Sequence, residues 1–407
     1  MNPLRPFPLA ARQRDLDRAA TALYPQLYER KRQRMLASPH AFFRGSAPLF
    51  YEVLAARPDL AEGPPGEGWL VGDMHLENAG AYRTDADRVV FDLNDFDDAS
   101  IGPSQLDVVR LATSVLLAGR TFKTPGAASI ALAERLIDAY AEAAAAPPSR
   151  GLPSPSLPSP IADMVAKAGA RSRRELLDDR APADRAGRRR FVRGERYFDV
   201  PEALAAEVPA LIDRYVAALG PRAPAHAADW QVEDAAMRVA GTGSLGATRI
   251  AVLVRDRDGD ERIVEIKESR PPATAAILPP SPSKARWATQ AERVVQGARA
   301  LADDPPRQLA PVVLDERSFA ARKLFPQEDK LRLETLHAGP KLDAVAQTIG
   351  RVLGAAHARA AARGRADGGP AEPPAARWSA AEAASLIDRA VELAGIFEAV
   401  YLAYARK

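Results

Sequence analysis

Two polar residues at a chemically informative spacing lie in one short segment of the chain, Gly72-Asp73-Met74-His75-Leu76-Glu77-Asn78. Asp73 and Asn78 are five positions apart, which is the Asp-x-x-x-x-Asn spacing of kinase catalytic loops. In that chemistry an aspartate orients or deprotonates an attacking hydroxyl, and a neutral amide oxygen ligates magnesium. The pair alone is a weak signal, because the same spacing occurs by chance in many loops.

A dense group of acids follows the next strand-like segment. Its four carboxylates are Asp92, Asp95, Asp97 and Asp98, within Val89-Val90-Phe91-Asp92-Leu93-Asn94-Asp95-Phe96-Asp97-Asp98. Acids this close repel one another, and they stay ionised only beside a cation or hydrogen-bond donors. Oxygen ligands without sulfur suit magnesium. We therefore expect magnesium ligands here, with a solvated acidic turn as the alternative.

A glycine-rich segment much later in the chain has strand-like residues on both sides. Its residues are Gly241-Thr242-Gly243-Ser244-Leu245-Gly246. A dinucleotide-binding fingerprint would need a helix directly after it. A turn that covers a nucleotide instead needs strand, turn, strand and then a lysine on a nearby strand. The observed pattern therefore predicts a β-meander with a phosphate-covering turn.

Lys267 supplies the expected lysine, 21 residues after Gly246. Because apolar strand residues flank it, we predict that it points into a cleft where an anion balances its charge. A lysine at a sheet edge facing water is the alternative. Glu292, on the following predicted helix, is a candidate ion-pair partner for Lys267, or else a plain surface residue.

Two further residues near the acids are predicted to support the site. Asp107 stands at the start of an apolar helix, where it either accepts backbone N–H groups at the helix N-terminus or braces the catalytic loop. His75 is a candidate metal ligand, general base or backbone-bracing residue. Bracing is favoured, because no second histidine lies at ligand spacing.

Length and composition limit the class of protein. The chain has 407 residues, and single cores stop growing at about 250–300 residues, so two lobes, or one domain with large additions, are expected. Its 56 basic and 53 acidic residues leave a net charge of +3, which predicts no nucleic-acid partner. The absence of cysteine excludes disulfides and thiolate chemistry and fits a cytoplasmic protein. No apolar stretch reaches transmembrane length, so no membrane partner is expected.

The hydrophobic pattern predicts one helix over residues 12–36, a hairpin of residues 79–84 and 88–93, and a last helix that begins at a capping box of Ser379 and Glu382.

We divide the chain into five parts. They are residues 1–145, with the N-terminal helices, catalytic loop and metal-binding acids; 146–160, a proline- and serine-rich linker; 161–235, a helical and loop region without an assigned role; 236–331, a β-rich part with the glycine turn and lysine; and 332–407, C-terminal helices.

Several motifs together resemble those of the bacterial DUF2252 family of uncharacterised proteins. They follow the family's order over about residues 30–360 and comprise residues 34–45, 72–78, 90–102, 239–246, 264–268, 293–297 and 354–359. Arg44 lies in the segment that resembles the family's Phe-x-Arg-Gly motif. A phosphate contact and a buried ion pair are both open as its role. This resemblance names no reaction.

The site segments also resemble the aminoglycoside-phosphotransferase and choline-kinase branch of the protein-kinase-like fold. There, a Gly-Asp-x-His-x-x-Asn loop precedes a hairpin and an acidic turn. The resemblance implies an α+β, two-lobed fold that binds ATP and Mg²⁺. It implies Asp73 as the catalytic base and Asn78 with Asp95 as magnesium ligands. Asp92 is the reserve ligand, and Asp97 is open for a second ion.

The same resemblance implies that Asp107 braces the loop, that residues 241–246 cover the phosphates and that Lys267 reaches the α- and β-phosphates. In kinases the glycine turn and lysine precede the catalytic loop, whereas here they follow it by about 170 residues. A circular permutation accounts for this order, because a site is defined by spatial convergence and termini can be relocated at surface loops.

These residues lead to three hypotheses on function. The first is an ATP- and Mg²⁺-dependent phosphotransferase acting on a hydroxyl of an unknown small molecule, with nucleotidyl transfer as a variant. The second is a kinase-like module that binds nucleotide without catalysis. The third is a metal-dependent phosphohydrolase that uses Asp73, His75, Asp92 and Asp95. The acceptor and the oligomeric state stay open.

Overall fold

A computed structural model describes residues 4–64, 66–147, 157–278, 287–366 and 378–406. Over these residues the chain is a mixed α+β protein, as predicted. The α-helices are α1 (Pro6–Ala20), α2 (Leu27–Met35), α3 (Pro39–Gly45), α4 (Ala47–Ala56), α5 (Gln105–Phe122), α6 (Gly126–Ala145), α7 (Ser159–Gly169), α8 (Arg173–Arg180), α9 (Glu202–Leu219), α10 (Gln290–Leu301), α11 (Pro340–Ala366) and α12 (Ala380–Ala405).

The strands pair antiparallel in three sheets. The strands are β1 (Glu67–Leu70), β2 (Ala79–Arg83), β3 (Val89–Leu93), β4 (Ser100–Pro103), β5 (Tyr197–Asp199), β6 (Gln231–Arg238), β7 (Arg249–Arg255), β8 (Glu261–Glu268), β9 (Ala310–Leu314), β10 (Arg317–Lys323) and β11 (Asp329–Lys330). The largest sheet has the order β5-β6-β7-β8-β10-β9; the others are β11-β2-β3 and β1-β4. The predicted hairpin is confirmed as β2–β3.

Helices α5, α6, α11 and α12 contribute to the larger hydrophobic core. Helix α5 is buried around most of its circumference, as expected for a central helix. Gly350 and Gly354 of α11 lie against the backbone of α6, where an added Cβ would overlap the carbonyl oxygens of Leu136 and Tyr140. The predicted capping box at the start of α12 is confirmed.

The six-stranded sheet has a hydrophobic core on each face, because side chains alternate along its strands. Ile250 and Val252 of β7 face a core shared with α9. Ala251 and Leu253 face the opposite side, where α8 packs. Arg249 lies on this second face, directly opposite Lys267 in the β7–β8 register. The glycine-rich segment joins β6 to β7, and Lys267 lies on β8, as the strand-turn-strand pattern predicts.

The structure differs from the predicted elements at two places. The single helix expected over residues 12–36 is two helices, α1 and α2, because Pro25 between them lacks a backbone N–H. Strand β6 begins at Gln231, so the β-rich part starts before residue 236. Residues 148–156 of the predicted linker lie outside the described residues. None of the described helices has the length and apolarity needed to cross a bilayer.

Candidate functional site

The segment after β1 is held at its start by the carboxylate of Asp107. Its two oxygens accept the N–H of Val71 at 2.6 Å and of Gly72 at 2.9 Å. Gly72 has φ +82°, and a Cβ there would overlap the backbone of Asp98. A glycine is therefore required where the chain turns into Asp73. These contacts are the loop-bracing arrangement expected of Asp107.

Asp107 is itself positioned by α11. His357 Nε2 lies 3.1 Å from Asp107 Oδ2, and the other ring nitrogen lies 2.9 Å from the Tyr140 hydroxyl on α6. All three side chains are buried. A chain of polar contacts thus links two long helices to the segment that carries Asp73.

Asp73 pairs with a fully buried arginine that the sequence analysis missed. Arg110, on α5, donates from Nε to Asp73 Oδ1 at 2.9 Å and contacts it again through Nη2. The guanidinium packs over the rings of Phe43 and Phe50, 4.4 and 4.7 Å from their centroids. Burial raises the pKa of Asp73 to about 7, although Arg110 acts in the opposite direction.

Asn78 closes the loop onto its own start. Its Nδ2 donates to the carbonyl of Asp73 at 2.5 Å, which leaves the amide oxygen as the group able to ligate a cation. His75 Nδ1 accepts the N–H of Glu77 at 3.1 Å, and burial lowers the pKa of His75 well below its usual value. A neutral ring that holds the backbone matches the bracing role favoured for His75.

Arg44 forms an ion pair, one of the two roles considered for it. Its Nη1 lies 2.7 Å from Glu77 Oε2. Both side chains are partly buried, and burial raises the pKa of Glu77. Arg44 therefore supports the segment of residues 72–78 from α3, and it also lines a cavity beside Asp73.

The acidic turn after β3 meets Lys267. Its ammonium group contacts Asp97 and lies 4.0 Å from Asp95 Oδ1, although Asp97 and Lys267 are 170 residues apart in the chain. Burial lowers the pKa of Lys267. Burial alone would raise the pKa of Asp95, but the ammonium groups of Lys267 and Lys330 outweigh it and hold that pKa below its usual value.

Asp92 lies elsewhere and does not line either cavity described below. It is buried against Arg359 of α11, with Nη2 3.2 Å from Oδ2, and accepts the N–H of Asp303 at 2.9 Å. Asp92 lies within β3, whereas Asp95 lies in the turn after that strand. The prediction of Asp92 as a metal ligand is therefore not supported by its position.

The glycine turn is held from outside by three cationic side chains. Lys31 on α2 donates to the carbonyl of Gly243 at 3.0 Å, Arg34 contacts the carbonyl of Gly241, and Arg270 donates to Gly246 at 3.0 Å. At its other side the turn faces the segment of residues 72–78, because a Cβ added at Gly243 would lie 3.7 Å from Asp73 Oδ2. Sequence reasoning did not find these contacts, and those of Lys31 and Arg34 join residues 212 and 207 positions apart.

Glu292 forms its hydrogen bonds at the start of its own helix, α10. Its carboxylate accepts the N–H of Ala288 at 2.7 Å, while its N–H bonds the side chain of Thr289, the N-cap of α10. Lys267 instead lies beside two acids of the turn after β3. The predicted Lys267–Glu292 pair is therefore replaced by Lys267 with Asp97 and Asp95.

Two cavities meet at these residues. A cavity of about 780 Å³ lies between the six-stranded sheet, α8 and the β2–β3 hairpin. A second, of about 340 Å³, lies beside Asp73, Asn78 and the glycine turn. Both are lined by Asp95, Asp97, Gly241, Ser244, Lys267 and Lys330. Helix α8 and the residues before it, to which the sequence assigned no role, contribute Arg171 and Arg180 to the larger one.

The donor atoms at this junction fit a magnesium ion. Asp95 is kept ionised, and Asn78 and Asp95 offer oxygen atoms to the same cavity. Among the described residues, no three histidine or carboxylate side chains are grouped as a complete metal cage. Magnesium does not need one, because it is usually held by one or two carboxylates together with phosphates and water.

Fold and site together define an α+β protein in which an acidic segment, a glycine turn and a lysine converge on one cleft. The model of a family described as "Uncharacterized protein conserved in bacteria (DUF2252)" matches residues 23–406. The chain therefore belongs to the DUF2252 family, as its motifs indicated. Comparison with curated proteins and with solved structures found no match.

Proposed function

We propose that this chain is an ATP- and Mg²⁺-dependent phosphotransferase with a kinase-like fold, which transfers a phosphorus-containing group to a hydroxyl of a small molecule. The observation that carries the proposal is the convergence of Asp73, Asp95 and Lys267 with the glycine turn around two connected cavities. Terminal phosphoryl transfer and nucleotidyl transfer would both use these residues.

Each residue has a role that its surroundings support. Asp73 accepts the proton of the acceptor hydroxyl as the hydroxyl oxygen attacks phosphorus, and the bond from that phosphorus to the leaving group breaks, which releases ADP in phosphoryl transfer or pyrophosphate in nucleotidyl transfer. A pKa of about 7 suits a general base at neutral pH. Lys267 and the backbone N–H groups of the glycine turn bind phosphate oxygens. Arg110 fixes the direction of the Asp73 carboxylate. Asn78 and Asp95 would hold magnesium, which would neutralise charge on the phosphates.

The order of elements around the cleft supports a permuted kinase-like fold. Strands β6, β7 and β8 carry the glycine turn and the lysine, and α10, β9 and β10 follow. After β10, residues 324–328 lead to β11, which pairs with β2 of the hairpin after the catalytic segment. Helix α11 follows β11 in the chain, and its His357 reaches Asp107, the brace of that segment.

The alternatives are supported less. The phosphohydrolase hypothesis needs Asp92 beside Asp73, but Asp92 is paired with Arg359 outside both cavities. A nucleotide-binding module without catalysis would not require a carboxylate with a raised pKa at Asp73. Turnover measurements distinguish the nucleotide-binding module without catalysis from a phosphotransferase.

Calorimetric titration with ATP, with and without Mg²⁺, tests the proposal on the full chain. We expect ATP to bind and Lys267→Met to weaken binding. Asp95→Asn should remove the dependence on Mg²⁺. Glu292→Gln is the matched control, because its carboxylate bonds Ala288 rather than Lys267. A folded wild-type protein that binds no ATP at millimolar concentration would contradict the proposal.

Turnover is measured as ATP consumed and as product formed. Asp73→Asn should bind ATP with nearly unchanged affinity and lose turnover by about 10²- to 10⁴-fold, the usual contribution of general base catalysis. If wild-type protein binds ATP but neither hydrolyses it nor modifies any acceptor, the module without catalysis is the better description.

A further inference from the structure

The proposed function has not used the arginines that line the larger cavity, and three of them lie on the six-stranded sheet. Arg238 on β6, Arg249 on β7 and Arg322 on β10, here called the arginine cluster, line this cavity but not the smaller one. Their side chains are 15%, 14% and 24% exposed, so each can be reached from the cavity. Arg238 and Arg249 flank the glycine turn at its two ends, three residues before Gly241 and three after Gly246.

One buried carboxylate holds the arginine cluster together. Glu265 accepts from Arg249 at 2.7 and 2.9 Å, contacts Arg238, and lies 3.5 Å from Arg322. Its pKa is held well below its usual value, because the three guanidiniums outweigh the effect of burial. Arg322 has a second partner, Glu328, at 3.1 Å. The three positive charges of the arginine cluster are therefore balanced by two carboxylates, those of Glu265 and Glu328.

The sheet register places further positive charge beside the cluster. Arg249 is directly opposite Lys267, and Arg322 is directly opposite Glu265. Like charges at directly opposed positions destabilise a sheet unless an anion lies between them. Lys267 is balanced by Asp97 and Asp95, the acids that would be shared with a magnesium ion. An anion between Arg249 and Lys267 would satisfy both cations.

We propose that the arginine cluster is a phosphate-binding position next to Lys267, which takes a phosphate of the nucleotide donor. This inference rests on the proposed function. The ligand class is a phosphate chain, because planar guanidiniums bind phosphate oxygens in a bidentate manner. The donor is thus held mainly through its phosphates, by Lys267 and the glycine turn at one side and by Arg249 and Arg238 at the other.

Binding of tripolyphosphate, ATP and adenosine to the full chain tests this position. We expect tripolyphosphate to compete with ATP and adenosine to bind far more weakly. Arg249→Gln and Arg238→Gln should each lower the affinity for tripolyphosphate and ATP about tenfold, since a hydrogen bond between charged groups is lost. Adenosine affinity should not change. Arg255→Gln is the matched control, because Arg255 lies on the same strand and outside both cavities.

Glu265→Gln separates ligand binding from a purely structural ion-pair network. It removes the carboxylate that competes with phosphate, so we expect lower thermal stability with equal or higher affinity for tripolyphosphate. If ATP binds the wild type but Arg249→Gln and Arg238→Gln leave ATP and tripolyphosphate affinity unchanged, this inference is overturned and the proposed function stands. If the folded wild type binds neither ATP nor tripolyphosphate, both are overturned.

Discussion

At the residue scale, the environment of Asp73 sets the expected pH dependence. The carboxylate is largely buried and is paired with Arg110. The sequence indicated Asp73 but not Arg110. The spacing to Asn78 pointed to Asp73, because both lie on one short segment. Arg110 comes 37 residues later, within an apolar helix whose pattern predicts a core helix, so nothing in the sequence connected it to Asp73.

We expect kcat/KM for ATP consumption to rise with pH and to level off above about 7, because only ionised Asp73 accepts a proton and its pKa is raised to about 7. Below that value activity should fall about tenfold per pH unit. Arg110→Met removes the cation that lowers the pKa, so the profile should move to higher pH. Initial rates across a buffer series measure both profiles. An unchanged profile in Arg110→Met would contradict this assignment.

At the element scale, the glycine turn is the part that sequence reasoning located best. Its strand-turn-strand setting and the lysine on β8 follow from local patterns, and both are found in the structure. Its attachment to α1 and α2 could not be predicted, because a single helix was expected there and no periodic signal marks Lys31 as a partner of Gly243. Such contacts depend on how distant elements pack.

Gly246→Ala should destabilise the turn. Gly246 has φ +104°, and a Cβ there would overlap the carbonyl of Ala20 at the end of α1. We expect a loss of about 1–3 kcal/mol in the free energy of unfolding from the backbone strain, with more from the overlap, and weaker ATP binding. Gly259→Ala is the matched control, since Gly259 has φ +84° but open space around it. Equal losses in the two variants would exclude the close approach as a cause.

Lys31→Met should loosen the same turn without touching the cavities. Lys31 is buried beside Asp17, 3.5 Å away, and its loss removes the bond to the Gly243 carbonyl. We expect faster amide hydrogen exchange over residues 241–246 and weaker ATP binding. Arg32→Gln, on the same helix but paired with Glu29 at the surface, should leave both unchanged. Unchanged exchange in Lys31→Met would show that α2 does not hold the turn.

At the scale of the whole molecule, α11 anchors both segments that lead into the site. His357 bonds Asp107, which braces the segment of residues 72–78, and Arg359 holds Asp92 of β3, the strand before the acidic turn. The sequence contained these residues in a family motif, but only the close packing of α11 on α6 brings them to their partners. The pairing of Asp92 with Arg359 does not support its assignment to the metal.

Arg359→Met should destabilise the fold by about 3–5 kcal/mol, because it leaves the buried carboxylate of Asp92 unpaired. Adding Asp92→Asn to Arg359→Met should recover part of the lost free energy of unfolding, because neither position of the pair then carries a buried charge. Chemical denaturation of the two single variants and the double variant measures the coupling. Additive losses would contradict a direct ion pair.

The polar contacts at the two ends of the chain limit how far the protein can be shortened. Tyr404, near the C-terminus, donates to Asp17 at 2.8 Å, and Asp17 pairs with the lysine that holds the glycine turn. Deleting either end would therefore disturb the glycine turn through contacts outside the two cavities. A folded fragment should not be obtainable by trimming the chain to the site segments, and expression screens should keep α1 and α12 together.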